Sequence, residues 1–359
     1  MRQHDGTYHP VALIEGDATY TTLLRALASG PEDREPDPND PTWSRWEYTK
    51  RRTMRRVNKL LGRPATPQTA ILAAMVSDLV HATQSWLGDS HAVTAAVLSS
   101  PHRVRLTDEE TNDVFEYLKL RNLMSEPDSL DAMYATSAAY AGYGHGLCSN
   151  YTDVNACEQE ECRWTYQNVL HIDFNRESLS GTIDMLQSYH SWGARSKFVD
   201  FDLGHPREVS LLEITARSDD GSSQDGSSSY WNMVSARIRA FVTSYRPRIN
   251  RTLLTGPSAT NPRFKDVLRT ALYDLVDADV LSELDSQYEK PATDEGAWQE
   301  LVEFATAKGA AEVAKRRQEG PLRCQWTGEC RARHEHAVSQ EREMLRVQAH
   351  DLSSYHDDV

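Results

Sequence analysis

Short apolar runs that are typical of buried strands alternate along this chain with longer segments of helical periodicity. Residues 168–173 (NVLHID) and 178–184 predict two strands around a turn, and residues 251–255 (RTLLT) predict another. A helix is expected over residues 68–87, because Pro67 suits a first helical turn and apolar side chains recur at helical spacing after it. Strands that alternate with helices indicate an α/β architecture.

Other segments extend this pattern. Helices are also predicted over residues 43–61, 107–120, 137–143, 231–243, 263–276 and 298–317. The run 92–99 (AVTAAVLS) predicts a further buried strand. The helix at 43–61 carries a cluster of basic side chains, namely Lys50, Arg51, Arg52, Arg55 and Arg56. We expect a solvated face there, and an acidic partner is the alternative.

Charge and hydrophobicity exclude several classes of protein. The 359 residues include 39 Lys+Arg and 53 Asp+Glu, a formal net charge of −14 that would repel nucleic acid. No stretch approaches the ~18 apolar residues that a membrane span requires. No apolar run follows the first residues, so we expect no secretory signal, no membrane partner and a soluble, cytoplasmic protein.

The cysteines give a weaker indication of compartment and chemistry. Five cysteines are an odd number for a disulfide framework, which favours a reducing compartment. Cys324 and Cys330 precede His334 and His336, but this spacing matches no familiar zinc template. Free thiols are the preferred interpretation, a disulfide between the first two is an alternative, and no metal is expected.

Four segments, in order, resemble the nucleotide-binding domain of the seventy-kilodalton heat-shock chaperones, and more widely the actin-like ATPase fold. They are residues 92–101, 135–144, 168–178 and 253–258, and residues 307–311 (AKGAA) match the closing helix of that domain. The resemblance covers roughly residues 90–317. More closely, residues 141–148 (AGYGHGLC) and 151–153 (YTD) resemble a group of fungal proteins described as actin-like ATPase-domain or chaperone-like.

This resemblance implies a two-lobed, ribonuclease-H-like α/β fold. Residues 1–165 would form the N-terminal lobe, with a disordered loop at 31–42. Residues 166–320 would form the C-terminal lobe, with a flexible loop at 221–229, and 321–359 a polar tail. The N-terminal lobe is expected to be incomplete, because the match begins near a second strand at residues 10–16. No β-rich peptide-binding domain follows, so a complete foldase is not expected.

The residues that hydrolyse ATP in this family are replaced. The family's second phosphate loop reads Asp-Leu-Gly-Gly-Gly-Thr, whereas this chain has DFNRES at residues 173–178. Glycines let backbone N–H groups approach phosphates, and side chains now stand in their place. The family's catalytic Glu corresponds to Ala135, and the second glycine of the adenosine turn is Pro257. An active ATPase is therefore not expected, and no cofactor is implied.

The resemblance nevertheless implies an interlobe cleft in which a ligand would lie. The candidate catalytic residues are His171, Asp173, Arg176 and Glu177, and the candidate ligand-binding residues are Glu15, Asp17, Asn175, Ser178, Gly256 and Ser258. His171 and Asp173 share one strand face and so could act as an acid–base pair. The alternatives are a packed strand histidine, an Asp173 retained from the fold's ancestry, and a local Arg176–Glu177 ion pair.

Three function classes follow. The first is a degenerate ATPase whose cleft binds a non-nucleotide small molecule or a protein partner. The second is a cleft recruited for cofactor-independent cyclisation, isomerisation or lyase chemistry in fungal secondary metabolism. The third is a weak residual ATPase. Nothing in the sequence fixes the oligomeric state.

Overall fold

The structure of the protein is a computed structural model that describes most of the chain. The described residues are 1–2, 6–30, 45–88, 92–104, 106–125, 133–189, 194–205, 223–288 and 295–320, with Ala332, His336 and Ser339 as isolated positions. The loop predicted at 31–42 lies outside them, as does nearly all of the 321–359 tail, including Cys324, Cys330 and His334. The molecule is mixed α/β, as the alternation of elements predicted.

The first part of the described chain is mainly helical. Its elements are α1 (Ala18–Ser29), α2 (Arg45–Leu60), α3 (Pro67–Leu87), β1 (Ala95–Ala96), β2 (Ser99–Ser100), α4 (Asp108–Leu118), β3 (Arg121–Asn122), β4 (Met133–Tyr134), α5 (Ala135–Gly142) and α6 (Val154–Glu161). Two strand predictions are corrected here. Residues 92–99 form only short parallel pairings of β1 with β3 and β2 with β4. Residues 10–16 are irregular backbone rather than a strand.

A four-stranded sheet follows. Its strands are β5 (Gln167–Phe174), β6 (Leu179–Leu186), β7 (Ser196–Asp200) and β8 (Arg251–Thr255), in the spatial order β7-β6-β5-β8. The first three form an antiparallel meander, and β8 pairs in parallel with β5. The chain returns to that parallel edge through α7 (Ser223–Thr243). The flexible loop predicted at 221–229 is therefore wrong from residue 223 onward, where α7 begins.

Each face of the sheet packs against helices. After β8 come a short 3₁₀ turn (Pro257–Thr260), α8 (Pro262–Leu272), α9 (Ala278–Tyr288) and α10 (Glu295–Glu319). Side chains alternate along β5, so Leu170, Ile172 and Phe174 face the core formed with α7 and α8. Val169 lies on the opposite face and packs with α5. His171 and Asp173 belong to this second face.

Helices α5 and α10 cross at very short distance because glycines remove side chains from the contact. A Cβ on Gly309 would overlap the Ala138 carbonyl and stand 2.7 Å from the backbone nitrogen of Gly142. A Cβ on Gly142 would likewise stand 2.7 Å from the carbonyl carbon of Ala305. The two backbones therefore touch, and only glycine at these positions permits that contact.

Helix α2 packs on α4 through charge. Arg55 forms ion pairs with Glu109 and Asp113. Lys59 bonds Asp113 at 3.0 Å and also forms an ion pair with Glu116. The predicted solvated face is thus wrong for Arg55, which is 9% exposed. None of the described helices combines the length and apolar character needed to cross a membrane.

Candidate functional site

Asp173 lies at the carboxyl end of β5, directly beside Thr255 at the end of β8. Its carboxylate accepts the Thr255 hydroxyl at 2.8 Å and the Asn175 side-chain amide at 2.6 Å. Asp173 is half-buried, so the carboxylate is held in place and still reaches the surface. The carboxyl ends of parallel strands are where open α/β sheets bind ligands.

A chain of side-chain hydrogen bonds runs inward from Asp173. The Thr255 hydroxyl has one hydrogen, which it donates to the Asp173 carboxylate. The Thr255 oxygen must therefore accept a hydrogen bond from Nε2 of His171, 2.8 Å away. Nδ1 of the neutral imidazole then accepts from the Thr136 hydroxyl at 3.0 Å. The order Thr136, His171, Thr255, Asp173 joins α5, β5 and β8.

His171 is the enclosed member of this chain. It is 4% exposed, and both ring nitrogens are occupied by threonine hydroxyls. Burial lowers the pKa of His171 to about 4, against a smaller opposing effect of Asp173, so the ring is neutral at pH 7. His171 therefore fixes the position of Thr255 and Asp173 and does not itself meet a ligand.

Residues 175–178 form a turn held by its own hydrogen bonds. The Asn175 side-chain oxygen accepts the backbone N–H of Glu177 at 2.9 Å and of Ser178 at 3.0 Å. The Asn175 N–H bonds the Ser178 carbonyl at 3.1 Å. We call residues 175–178 the Asn175 turn. Three of its backbone donors are consumed internally, so they cannot cradle a phosphate without breaking the turn.

Two ion pairs connect the Asn175 turn to the N-terminal region. Arg176 bonds Glu15 at 2.6 Å, and Glu177 bonds Arg25 of α1 at 2.7 Å. The local Arg176–Glu177 pair considered from the sequence is thus not the one that forms. Asp17 caps α1 by accepting the Tyr20 N–H at 2.7 Å. Glu15 therefore meets the candidate site, whereas the carboxylate of Asp17 serves the helix.

Gly256 follows β8 and abuts the end of β5. Its φ is +92°, and a Cβ there would stand 2.8 Å from the Phe174 carbonyl carbon. Both facts require glycine. Ser258 lies two residues further along, half-buried in the 3₁₀ turn. Ser178 is buried and contributes its backbone to the Asn175 turn.

Sequence reasoning missed Thr136 and Thr255. Both are almost fully buried, at 0% and 2% exposure. Alternation along RTLLT does place Thr255 at the polar end of an otherwise apolar strand, and its pairing with Asp173 could have been found from the register of the two strands. Thr136 had no comparable signal, because its contact with His171 depends on how α5 packs on the sheet.

A second polar cluster lies between α6 and α10. Cys148 and Cys157 form a disulfide, with their Cα atoms 5.2 Å apart. Glu161 lies 3.7 Å from the Cys157 sulfur, and Arg316 bonds the Cys148 carbonyl at 2.7 Å. Burial raises the pKa of Glu161 to about 7. Cysteine and carboxylate are metal-ligand types, but bonded sulfurs are not thiolates, so the cluster does not fit a metal as it stands.

Comparison with known proteins adds no family to this description. A search of the chain against protein-family models found no match, and neither did a search of curated proteins.

Proposed function

We propose that this protein has an actin-like, ribonuclease-H-like fold and binds a non-nucleotide ligand without hydrolysing ATP. The topology of the sheet supports the fold: a three-strand antiparallel meander is followed by a crossover through α7 to a strand parallel to the first. The crossing of α5 with α10 brings together residues 135–144 and 307–311, two of the segments on which the resemblance rests. The two-lobe division near residue 165 remains a prediction.

The Asn175 turn is the observation that carries the function. In an ATPase of this fold the corresponding backbone donors face the phosphates. Here they bond Asn175 and Ser178, and the turn is tied to Glu15 and Arg25. A triphosphate would have to break these bonds and approach the Glu177 carboxylate. Mg-ATP is therefore a poor ligand for this site.

The charges around the site indicate the chemistry of a better ligand. Asp173 presents a carboxylate at the end of β5, whereas Glu15 and Glu177 are each paired with an arginine beside it. Carboxylates accept hydrogen bonds and repel anions. A neutral or cationic molecule with N–H or O–H donors, or a donor side chain of a protein partner, fits this site best.

The chemistry expected of a recruited biosynthetic enzyme is less well supported. Acid–base catalysis needs a group within hydrogen-bond reach of the substrate. His171, the only histidine among the proposed site residues, has both nitrogens occupied by buried hydroxyls. Of the other candidate catalytic residues, Asp173 and the ion-paired Glu177 remain for proton transfer. A binding role therefore ranks above cyclisation or isomerisation.

The test is a thermal-shift and calorimetric titration of the full chain. Millimolar Mg-ATP should stabilise it by less than about 0.4 kcal/mol, the value when ligand concentration equals Kd. A screen of neutral and cationic small molecules is run in parallel. Any hit should lose at least about tenfold in affinity in Asp173→Asn, which is ~1.4 kcal/mol.

The matched control is Asp78→Asn, which removes an exposed charge from α3, outside the candidate site, and should change the affinity of the same hit little. Stabilisation by several kcal/mol with Mg-ATP would show that the Asn175 turn still accepts phosphates and would overturn the proposal.

A further inference from the structure

Helix α2 presents its apolar side chains to solvent. Five large apolar residues follow one side of the helix and its last turn, at 41–87% exposure: Trp46, Met54, Val57, Leu60 and Leu61. Their spacing of three, four, seven or eight residues puts them on one face. We call this set the apolar stripe. Scattered exposed apolar residues are ordinary, but a continuous helical face is not.

The orientation of α2 is inverted relative to an ordinary surface helix. The face that meets the protein is charged, since Arg55 and Lys59 pair with Glu109, Asp113 and Glu116 of α4. Asp113 is 3% exposed and holds both cations. The two contacts to the buried Asp113 fix which side of α2 faces inward, so the apolar stripe faces away from the core.

Basic side chains accompany the apolar stripe. Arg52, Arg56 and Arg63 are exposed along one edge of it, and Lys50 lies between Trp46 and Met54. Within the part of the chain that the structure describes, none of the four has an ion pair. The preceding segment 31–44 (PEDREPDPNDPTWS) contains a single large apolar residue, Trp43.

We infer that α2 lies on an anionic lipid bilayer, with the apolar stripe in the interface. A helix with basic and apolar faces, and with Trp and Leu on the apolar one, binds in the plane of such a surface. A flat surface needs only the outward arc of the helix, which is the part that α4 leaves open. The expectation of no membrane partner rests on the lack of a stretch apolar enough to span a bilayer, and a helix that lies on a bilayer needs no such stretch.

Charge complementarity favours lipid over a second copy of this chain. Lys50 sits inside the apolar stripe, and an unpaired ammonium is costly in a dry protein interface. At a bilayer its long stem can follow the apolar surface while the amine reaches a phosphate.

The chain's net charge of −14 opposes its approach to an anionic bilayer at long range. Insertion of apolar side chains therefore supplies most of the binding, and the basic edge supplies the preference for anionic lipid.

The test is co-sedimentation of the full chain with vesicles of phosphatidylcholine, alone or mixed with an equal part of phosphatidylserine. The mixed vesicles should bind the protein more strongly. Met54→Ser/Leu60→Ser should weaken partition at least about tenfold, because both substitutions remove aliphatic surface that the bilayer interface would bury. Arg52→Gln/Arg56→Gln should keep apolar binding and lose the preference for phosphatidylserine.

The control is Met233→Ser/Tyr273→Ser, which removes two exposed apolar side chains from α7 and from the end of α8. It should bind like the unmodified chain. Unchanged melting temperatures confirm that each variant folds. Absence of vesicle binding by the unmodified chain, or equal loss in the control, overturns the inference. So does a dimer in sedimentation velocity that Met54→Ser/Leu60→Ser converts to a monomer, which would assign the apolar stripe to a second copy.

Discussion

Gly309 of α10 lies against Ala138 of α5 backbone to backbone, with no room for a side chain between them. Gly309→Ala should therefore destabilise the fold by about 1–3 kcal/mol or more, the cost of forcing an extra carbon into a packed contact. Gly296→Ala is the matched control on the same helix, where a Cβ would meet nothing within 4 Å. There alanine should stabilise by about 0.5–1 kcal/mol. Urea unfolding of both variants measures the difference, and equal stabilities would contradict the close crossing.

The Asn175 turn should depend on one side chain. Asn175→Ala removes the acceptor of two backbone N–H groups and the donor to Asp173, so the free energy of unfolding should fall by about 1–3 kcal/mol. Arg176→Ala is the comparison in the same turn. Its partner Glu15 is 73% exposed, so that loss should be below about 1 kcal/mol. Chemical denaturation reports both values, and a larger loss for Arg176→Ala would show that the ion pair holds the turn.

Stability should rise with pH between about 4 and 6.5 because buried histidines must stay neutral. Burial lowers the pKa of His171 and His145 to about 4 and that of His102 to about 3. The unfolded chain, with histidine pKa near 6.5, binds these protons first, so acid favours unfolding in that window. The pKa of Glu161, raised to about 7, acts oppositely, since its stabilisation is lost as pH rises from 4.5 to 7. Burial also raises the pKa of Glu158, which acts in the same direction as Glu161, so three histidines stand against two carboxylates and remain dominant.

Replacing one of these histidines measures how much that residue contributes to the pH dependence of stability. For His171→Gln, the stability lost between pH 7 and pH 5 should be smaller by about 2 kcal/mol than in the unmodified chain. Urea unfolding at the two pH values measures it. His81→Gln, at an exposed position of α3, should leave the profile unchanged. If stability changes with pH identically in His171→Gln and in the unmodified chain, the His171 ring must take up a proton as readily in the folded protein as in the unfolded one.

The Cys148–Cys157 bridge should make stability sensitive to reductant. Closing a loop with a sequence separation of 9 contributes about 2–3 kcal/mol in the chain-entropy account. Reduction should lower the melting temperature of the unmodified chain and of Cys162→Ser, whose sulfur is outside the bridge. Cys148→Ser should show no such response. A reductant shift that disappears in Cys162→Ser would indicate a different pairing.

Local signals were enough to predict the elements around the site. β5, β6 and β8 appear within one or two residues of the predicted apolar runs, and α4 lies within the predicted helix 107–120, where Thr107 and Glu110 form a capping box at its start. These features depend on a few neighbouring residues. The disulfide, the Arg176–Glu15 pair and the packing of α2 depend on contacts between distant segments, which periodicity does not encode. The strand expected at 10–16 fails for the same reason, since no neighbouring strand pairs with it among the described residues.

The candidate site was predicted in part. His171 and Asp173 do share a face, but their link runs through Thr255, and the ring is sealed by Thr136. The alternation of side chains along a strand predicts which face of the sheet a side chain lies on, but it does not predict which other element packs against that side chain. The depth of His171, and with it the change from a catalytic to a positioning role, follows only from the packing of α5 on the sheet.

Helix α10 touches the site and α5 together, and this has a consequence for synthesis of the chain. The Val302 carbonyl of α10 accepts a hydrogen bond from the Gly256 N–H at 3.2 Å. Gly309 of the same helix packs against the backbone of α5, the helix that carries Thr136. A nascent chain emerges from the ribosome N-terminus first. Thr136, His171 and Asp173 are therefore translated long before the helix that locks their elements together. We expect the candidate site to assemble only after residue 309 has left the exit tunnel. In shorter ribosome-bound chains, α5 and the sheet would not yet be packed together by α10.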